Sequence, residues 1–295
     1  MYDVMLDEAN LWYQEPPLRK RKLDEPSPVE EKEEEAYSSE EDMDPVEREK
    51  YRLQAVESCG FDVDFFNHIF NGIFPSGCTP YDTLFAKAGL HCHNAEKGKK
   101  YQLKRVVKVN AEIASLYNSY STSEVIDPVD NSLHTFQTMV TDAGKEKKAS
   151  LILLTKICRI KPQIPGLGDA TVFWDFNAID DFYKTDMPDW PFNDGVKESE
   201  LVDNEWIYLY AEAALFSEWR SEMCDYTPFE MKKVMVQTKE DDVESSTKLK
   251  SSNAIFYMIF KARGGPLCRG IVRKTSDGRT GHMRLEARCW IDKSN

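Results

Sequence analysis

The sequence predicts an α+β fold built from two units, each a helix packed on an antiparallel sheet of about four strands, behind a disordered acidic N-terminal tail. Three observations lead there. Composition changes near residue 56, from proline- and acid-rich to that of a packed domain. A helical pattern followed by four strand patterns then occurs twice. The first strands of the two runs also align. Tyr101-Gln-Leu-Lys-Arg-Val-Val-Lys108 lies over Phe229-Glu-Met-Lys-Lys-Val-Met-Val236, nearly every position keeping its type, which suggests an internal duplication. The expected division is a tail over 1–56, a first unit over 57–165, a connector over 166–202 and a second unit over 203–295.

The first helix announces itself chemically. Thr79-Pro80-Tyr81-Asp82 supplies an N-cap, a proline at the first helical position and an acid at the third. Tyr81, Leu84, Phe85, Ala88 and Cys92 then recur at helical spacing, and Gly98 ends the run. Strands follow at 101–109, 114–126, 132–142 and 149–160, divided by the turn chemistry of Asp127-Pro128, Asn131 and Asp142-Ala-Gly144. In the second run Asp203 is placed to cap a helix whose face carries Trp206, Leu209, Tyr210, Ala213 and Phe216. Its strands fall at 228–238, 253–262, 267–274 and 281–290, divided by Gly264-Gly265-Pro266 and Asp277-Gly278. A helix covering one face of each sheet is how such a layer buries its apolar side.

Charge is placed unevenly. The chain has 295 residues and a net charge of −13, and residues 1–50 alone carry 17 acids against 7 bases. Five prolines lie between Glu15 and Lys50, with an acidic run from Glu30 to Glu35 and almost no aliphatics. Such a segment buries too little apolar surface to offset its chain entropy, and is read as disordered. Within it, Arg19-Lys20-Arg21-Lys22 forms a basic cluster, readable as a nuclear-import signal or as a solvated charge patch. Ser27 before Pro28, and Ser38 and Ser39 before Glu40-Glu41-Asp42, suit kinases that read flexible proline-directed or acidic contexts.

Function classes can be excluded from the same numbers. An acidic chain repels phosphate backbones, so neither nucleic acid nor an anionic membrane is expected as a partner. No apolar run is long enough to span a bilayer, and residues 1–8 lack the pattern of a secretion signal. Seven scattered cysteines without a C-x-x-C fit reduced thiols. A cytoplasmic or nuclear protein, not secreted, is expected.

The layout is also that of plant cystatins, the cysteine-protease inhibitors. Leu90-His91-Cys92-His93-Asn94 and Tyr101 to Val109 resemble their helix end and first long strand. Lys197 to Trp206, Lys239 to Val243, Asn253 to Tyr257 and Ile271 to Lys274 resemble a plant cystatin-related family of uncharacterised proteins. So do Thr135-Phe-Gln137 and Gly89-Leu-His91. The resemblance spans about 57–290 and implies a cystatin-like fold. It also points to a candidate inhibitor-type hairpin at Ala111, Glu112, Ile113, Ala114 and Ser115, which would wedge into a papain-like cysteine protease. That hairpin departs from the family's Gln-x-Val-x-Gly: alanine replaces the glutamine, serine replaces the glycine, and Glu112 would put a charge at the tip. Thr141-Asp142 stands where the family has Pro-Trp.

Catalysis finds no footing. His91-Cys92-His93 is composed like a metal site, but residues two apart on a helix point to opposite sides, so surface histidines flanking a buried cysteine are expected. No nucleotide loop or nucleophile elbow occurs, and neither cofactor nor metal is expected. The connector is rich in aspartate and aromatics. Its aromatics are expected to dock on the sheets while its acids stay wet, and it is the place to look for a partner surface, with Trp174, Asp180, Asp181, Asp189 and Trp190 as candidates. The reading is a non-enzymatic intracellular protein serving interaction or regulation through a partner not specified by the sequence. The alternatives are a degenerate cystatin-type inhibitor and a small-molecule binder or enzyme with a pocket between helix and sheet.

Overall fold

The computed structural model describes residues 43–66, 72–144, 149–164, 166, 168, 171–190, 204, 206–218, 229–240, 245–261 and 265–291. The tail over 1–42, with Arg19, Lys20, Arg21, Lys22, Ser27, Ser38 and Ser39, lies outside them, as does the expected cap Asp203. Where the tail was expected to run to 56, Pro45–Ser58 is instead a helix (α1), capped by Asp44. Its Tyr51 is buried, and its Oη accepts a hydrogen bond from the Ile73 N–H at 2.7 Å, tying the helix to the strand that begins there.

Eight strands lie near the expected ranges, the first of them running four residues past its expected end: β2 Gln102–Ile113, β3 Tyr117–Ile126, β4 Leu133–Asp142, β5 Leu151–Ile160, β6 Glu230–Gln237, β7 Ala254–Lys261, β8 Leu267–Thr275 and β9 Arg284–Ile291. A ninth, β1 at Ile73–Ser76, was not anticipated. They do not form two sheets. All nine join one antiparallel sheet in the order β1-β2-β3-β4-β5-β9-β8-β7-β6. The seam is β5 against β9, with Leu151 opposite Ala287 and Leu154 opposite Arg284. Each half runs outward from this seam, last strand to first. The expectation of two separate units is therefore corrected to one mixed α+β body.

Two helices cover one face. Helix α2, Pro80–Lys97, begins in the anticipated capping box: Thr79 N–H donates to Asp82 Oδ2 at 2.9 Å, and Gly98 ends it in the left-handed conformation at φ 63°. Helix α3, Ile207–Glu218, is buried nearly all round, because it lies on β8 and β9 and also against α2. The rings of Tyr81 and Phe216 meet edge to face at 4.2 Å, and Lys87 pairs with Glu212 across the two helices. One apolar core runs through both halves, from Leu84 and Phe85 through Leu151 and Leu153 to Phe216, Phe256 and Phe260. A short helix, α4 at Ser245–Lys250, lies beside β6.

The opposite face is covered too. Strand residues alternate between faces, so Leu151 and Leu153 point to the helices while Ile152 and Leu154 point away. On that far side α1 and the segment after it, with Phe61, Val63 and Phe66, cover Tyr120, Met139 and Ile157. The connector covers the other half through Ile179, Tyr183 and Met187 against Ile255, Tyr257 and Ile271.

Candidate functional site

The candidate hairpin comes first, because its geometry decides what it can do. Strand β2 runs on to Ile113, so the turn is at Ala114–Leu116 and not around Glu112. Ala111 is buried. Glu112 is no charged tip: Asn118 Nδ2 and Tyr120 Oη donate to its Oε2 at 2.8 and 3.0 Å. Register explains the inversion, since Glu112 lies opposite Asn118 on the sheet face that α1's layer covers. Ile113 is exposed, with Ala114 and Ser115 at the exposed turn, while β1 pairs with β2 from Val109 to Glu112 and stiffens the wedge from the side. Thr141 donates to Asn118 Oδ1 at 2.5 Å, and Asp142 accepts from Tyr81 Oη, so one is tied to β3 and the other to α2.

The connector is held by buried polar contacts. Arg273 of β8, 1% exposed, forms a two-pronged ion pair with Glu286 of β9 at 2.5 and 2.8 Å. Its remaining nitrogen donates to the carbonyl of Thr185 at 2.8 Å, binding the connector to the sheet. Tyr183 Oη donates to the Asn253 carbonyl and accepts from the Lys239 N–H, both at 3.0 Å. Trp174 donates to the Thr155 carbonyl at 3.0 Å and stacks on His282 at 4.9 Å. His282 is buried with Nδ1 2.9 Å from Asp277 and Nε2 2.6 Å from the Thr171 carbonyl. Burial pushes the Asp277 carboxyl up, but hydrogen bonds from the Asp175 N–H, His282 and the Arg279 N–H outweigh it and hold the group below its usual range.

Docking of the aromatics is therefore only half the outcome. Trp174 and Trp190 pack inward, Trp190 edge-on to Tyr257 at 6.0 Å. Phe173, Phe176 and Phe182 stay 53%, 46% and 37% exposed. Asp181 and Asp189 are exposed, and Asp180 pairs with Lys239, whose ammonium hydrogen bond lowers the Asp180 carboxyl. Sequence reasoning named the two tryptophans as surface. Their indole size and polar edge serve as pegs instead.

The histidines of α2 are a further correction. The helix continues past them, so they point apart, but neither is a free surface group. His93 is buried with Nδ1 3.0 Å from the Cys158 carbonyl. His91 is partly buried, stacks on Trp206 at 5.1 Å, and has Nε2 3.0 Å from Tyr210 Oη. Burial, reinforced by the nearby Lys274 charge, pushes His91 down to about 3. Lys274 was missed by sequence reasoning. It sits on β8 opposite Leu285, facing the helices, with its Nζ 5.9 Å from the Trp206 ring. It is 5% exposed, and burial pushes its ammonium down to about 8. Among the described residues no group of three or more potential metal ligands occurs, and no helix is long and apolar enough to cross a membrane.

Comparison with known proteins adds the following. A family model described as Protein MS5 matches residues 187–285. UPF0725 protein At4g29550 of Arabidopsis thaliana is 37% identical over 275 residues, covering 84% of this chain and 76% of that protein. UPF0725 protein At3g44770, also of Arabidopsis thaliana, is 36% identical over 283 residues, covering 88% and 86%. The crystal structure of MS5 from Brassica napus superposes with a TM-score of 0.55 at 22% identity, over 73% of this chain and 99% of that one. At that identity the likeness concerns fold alone. These matches overturn the cystatin-related resemblance. The phrases that suggested it, from Lys197 to Trp206 and from Ile271 to Lys274, lie within the region matched by the MS5 model. The inhibitor reading falls with it, since it rested on that resemblance and the hairpin carries none of the wedge's residues.

Proposed function

The chain belongs to the UPF0725 family, and from that premise we propose that it is a non-enzymatic interaction or regulatory scaffold whose partner surface is the outer side of the connector. One observation carries this reading. Phe173, Phe176 and Phe182 are half in solvent on a segment whose backbone is fixed to the sheet by Arg273, Tyr183 and Trp174. Exposed aromatics on a pre-ordered backbone lose little entropy when a partner covers them, which is why such residues dominate binding hot spots. Asp181 and Asp189, exposed and paired with Lys184 and Arg288, give the patch a charged rim of both signs, favouring a partner that is apolar at its centre and polar at its edge. Arg19–Lys22 as an import signal and Ser27, Ser38 and Ser39 as phosphorylation sites complete the proposal as its control elements.

The test is site-specific photocrosslinking in cells. A photoreactive residue replaces Phe176, with Val129 (88% exposed, in the β3–β4 turn) as the control position. The reading expects one recurrent protein adduct at position 176, lost when Phe173 and Phe182 become serine while the melting temperature is kept. Identical adduct patterns at 176 and 129 would sink it.

A further inference from the structure

On the helix side of the sheet, Lys274 has no acceptor among the described residues. Residues of β8 that face the helices are Cys268, Gly270, Val272 and Lys274; the first and third lie in the apolar core, and Gly270 faces Ala214 of α3. Lys274 continues this row into the layer between sheet and helices, nine-tenths buried. Its neighbours across the strands, Ala254 and Leu285, are apolar. An ammonium there has three donors to satisfy. Among the described residues it forms neither a hydrogen bond nor an ion pair, and its ammonium lies over the face of Trp206 at 5.9 Å. A charge held in so apolar a layer without an acceptor is costly, and an anion bound against it would offset that cost.

The walls say what kind of ligand. The His91 ring lies nearly parallel to the Trp206 indole, at 22°, and Tyr210 and Phe256 stand edge-on to that indole at 5.1 and 5.7 Å. His91 and Tyr210 share a hydrogen bond, so a hydroxyl and an imidazole edge are at hand. His91 and Trp206 are both only partly buried, which puts them on the route from solvent to Lys274. We propose that Lys274, His91, Trp206 and Tyr210 form a receptor for a small organic carboxylate with a flat apolar body, the carboxylate meeting the ammonium and the body lying against the indole. This site is on the sheet face opposite the connector and stands or falls independently of the partner surface.

Benzoate is the probe, titrated calorimetrically into the full chain at pH 8, with Trp206 fluorescence as a second signal. The expected result is saturable binding with net proton uptake, because an anion favours the charged form of Lys274. Lys274→Met should weaken binding at least ten-fold while melting cooperatively. Inorganic phosphate should bind at least ten-fold more weakly than benzoate, since it has no apolar body. Should Lys274→Met fail to fold, acetylation of the wild-type chain replaces it: Lys274 should be modified slowly and be protected by benzoate. Binding without proton uptake, equal binding by phosphate, unchanged binding in the variant, or a Lys274 never acetylated would each overturn the proposal.

Discussion

Gly89 lies mid-way along α2 where the helix presses on β4, and a methyl group there tests how closely the two layers approach. In an open helix, glycine to alanine stabilises by roughly 1 kcal/mol. Here the added Cβ would lie 2.1 Å from Thr138 Cγ2 and 2.8 Å from its Oγ1. Carbon pairs settle near 3.5–4.0 Å, so the helix or the strand must move by more than an ångström. Forced overpacking of that kind costs typically ~1–3 kcal/mol. Gly89→Ala is thus expected to destabilise by up to about 2 kcal/mol after its propensity gain. Thr138→Ala removes both near atoms and leaves the Thr138 Cβ at 3.0 Å. Its hydroxyl has no hydrogen-bond partner, so no bond is lost with it. The double variant should therefore regain most of the loss, with a coupling energy of at least about 1 kcal/mol. Urea unfolding of the four proteins, followed by tryptophan fluorescence, measures it. A Gly89→Ala protein more stable than wild type, additive with Thr138→Ala, would refute the close approach.

Three further outcomes follow from the buried charges. Lys274 has a folded pKa of about 8 against 10.5, so its charging costs the fold about 3 kcal/mol at about 1.4 kcal/mol per unit. Lys274→Met should be more stable at pH 7 by up to that amount in carboxylate-free buffer. The folded state binds fewer protons than the unfolded state between pH 8 and 10.5, so wild type gains stability across that window and the gap closes; a gap independent of pH refutes it. His91, held neutral down to about pH 3, makes wild type lose stability as pH falls below 6.5, and the difference from His91→Gln, followed by circular dichroism, should grow in that direction. Glu286→Gln leaves Arg273 buried and half-paired, and should cost about 3–5 kcal/mol in urea unfolding and open the connector near Thr185 to proteolysis, whereas Arg273→Met with Glu286→Leu should recover most of the stability.

Much of the framework was legible because turns carry local chemistry. Asp127-Pro128 and Asp277-Gly278 divide strands wherever they occur, and the Thr79–Asp82 box starts a helix whatever surrounds it. The single sheet was not, because pairing between β5 and β9 is set by distant residues. One signal did exist. Leu151-Ile152-Leu153-Leu154 is apolar without alternation, as expected of a central strand covered on both faces, and a sheet with one wet face would have alternated. Glu112 shows the limit at the site: β2 runs on to Ile113, four residues past its expected end, and that moves a side chain from tip to interior. Lys274 was invisible for the same reason. A lysine in a strand reads as solvent-facing until the register puts it under a helix.

The seam has a consequence during synthesis. Strand β5 is complete long before β9, its partner on one side, leaves the ribosome. Until then the nascent first half shows an uncovered apolar rim, the feature that invites pairing with other chains. The two outermost strands of the finished protein, β1 and β6, are first strands of their halves, and the last strands, β5 and β9, meet in the middle. A ribosome-bound fragment ending before Arg284 should therefore depend on chaperones, and a gene fusion that supplies β9 early should relieve that dependence.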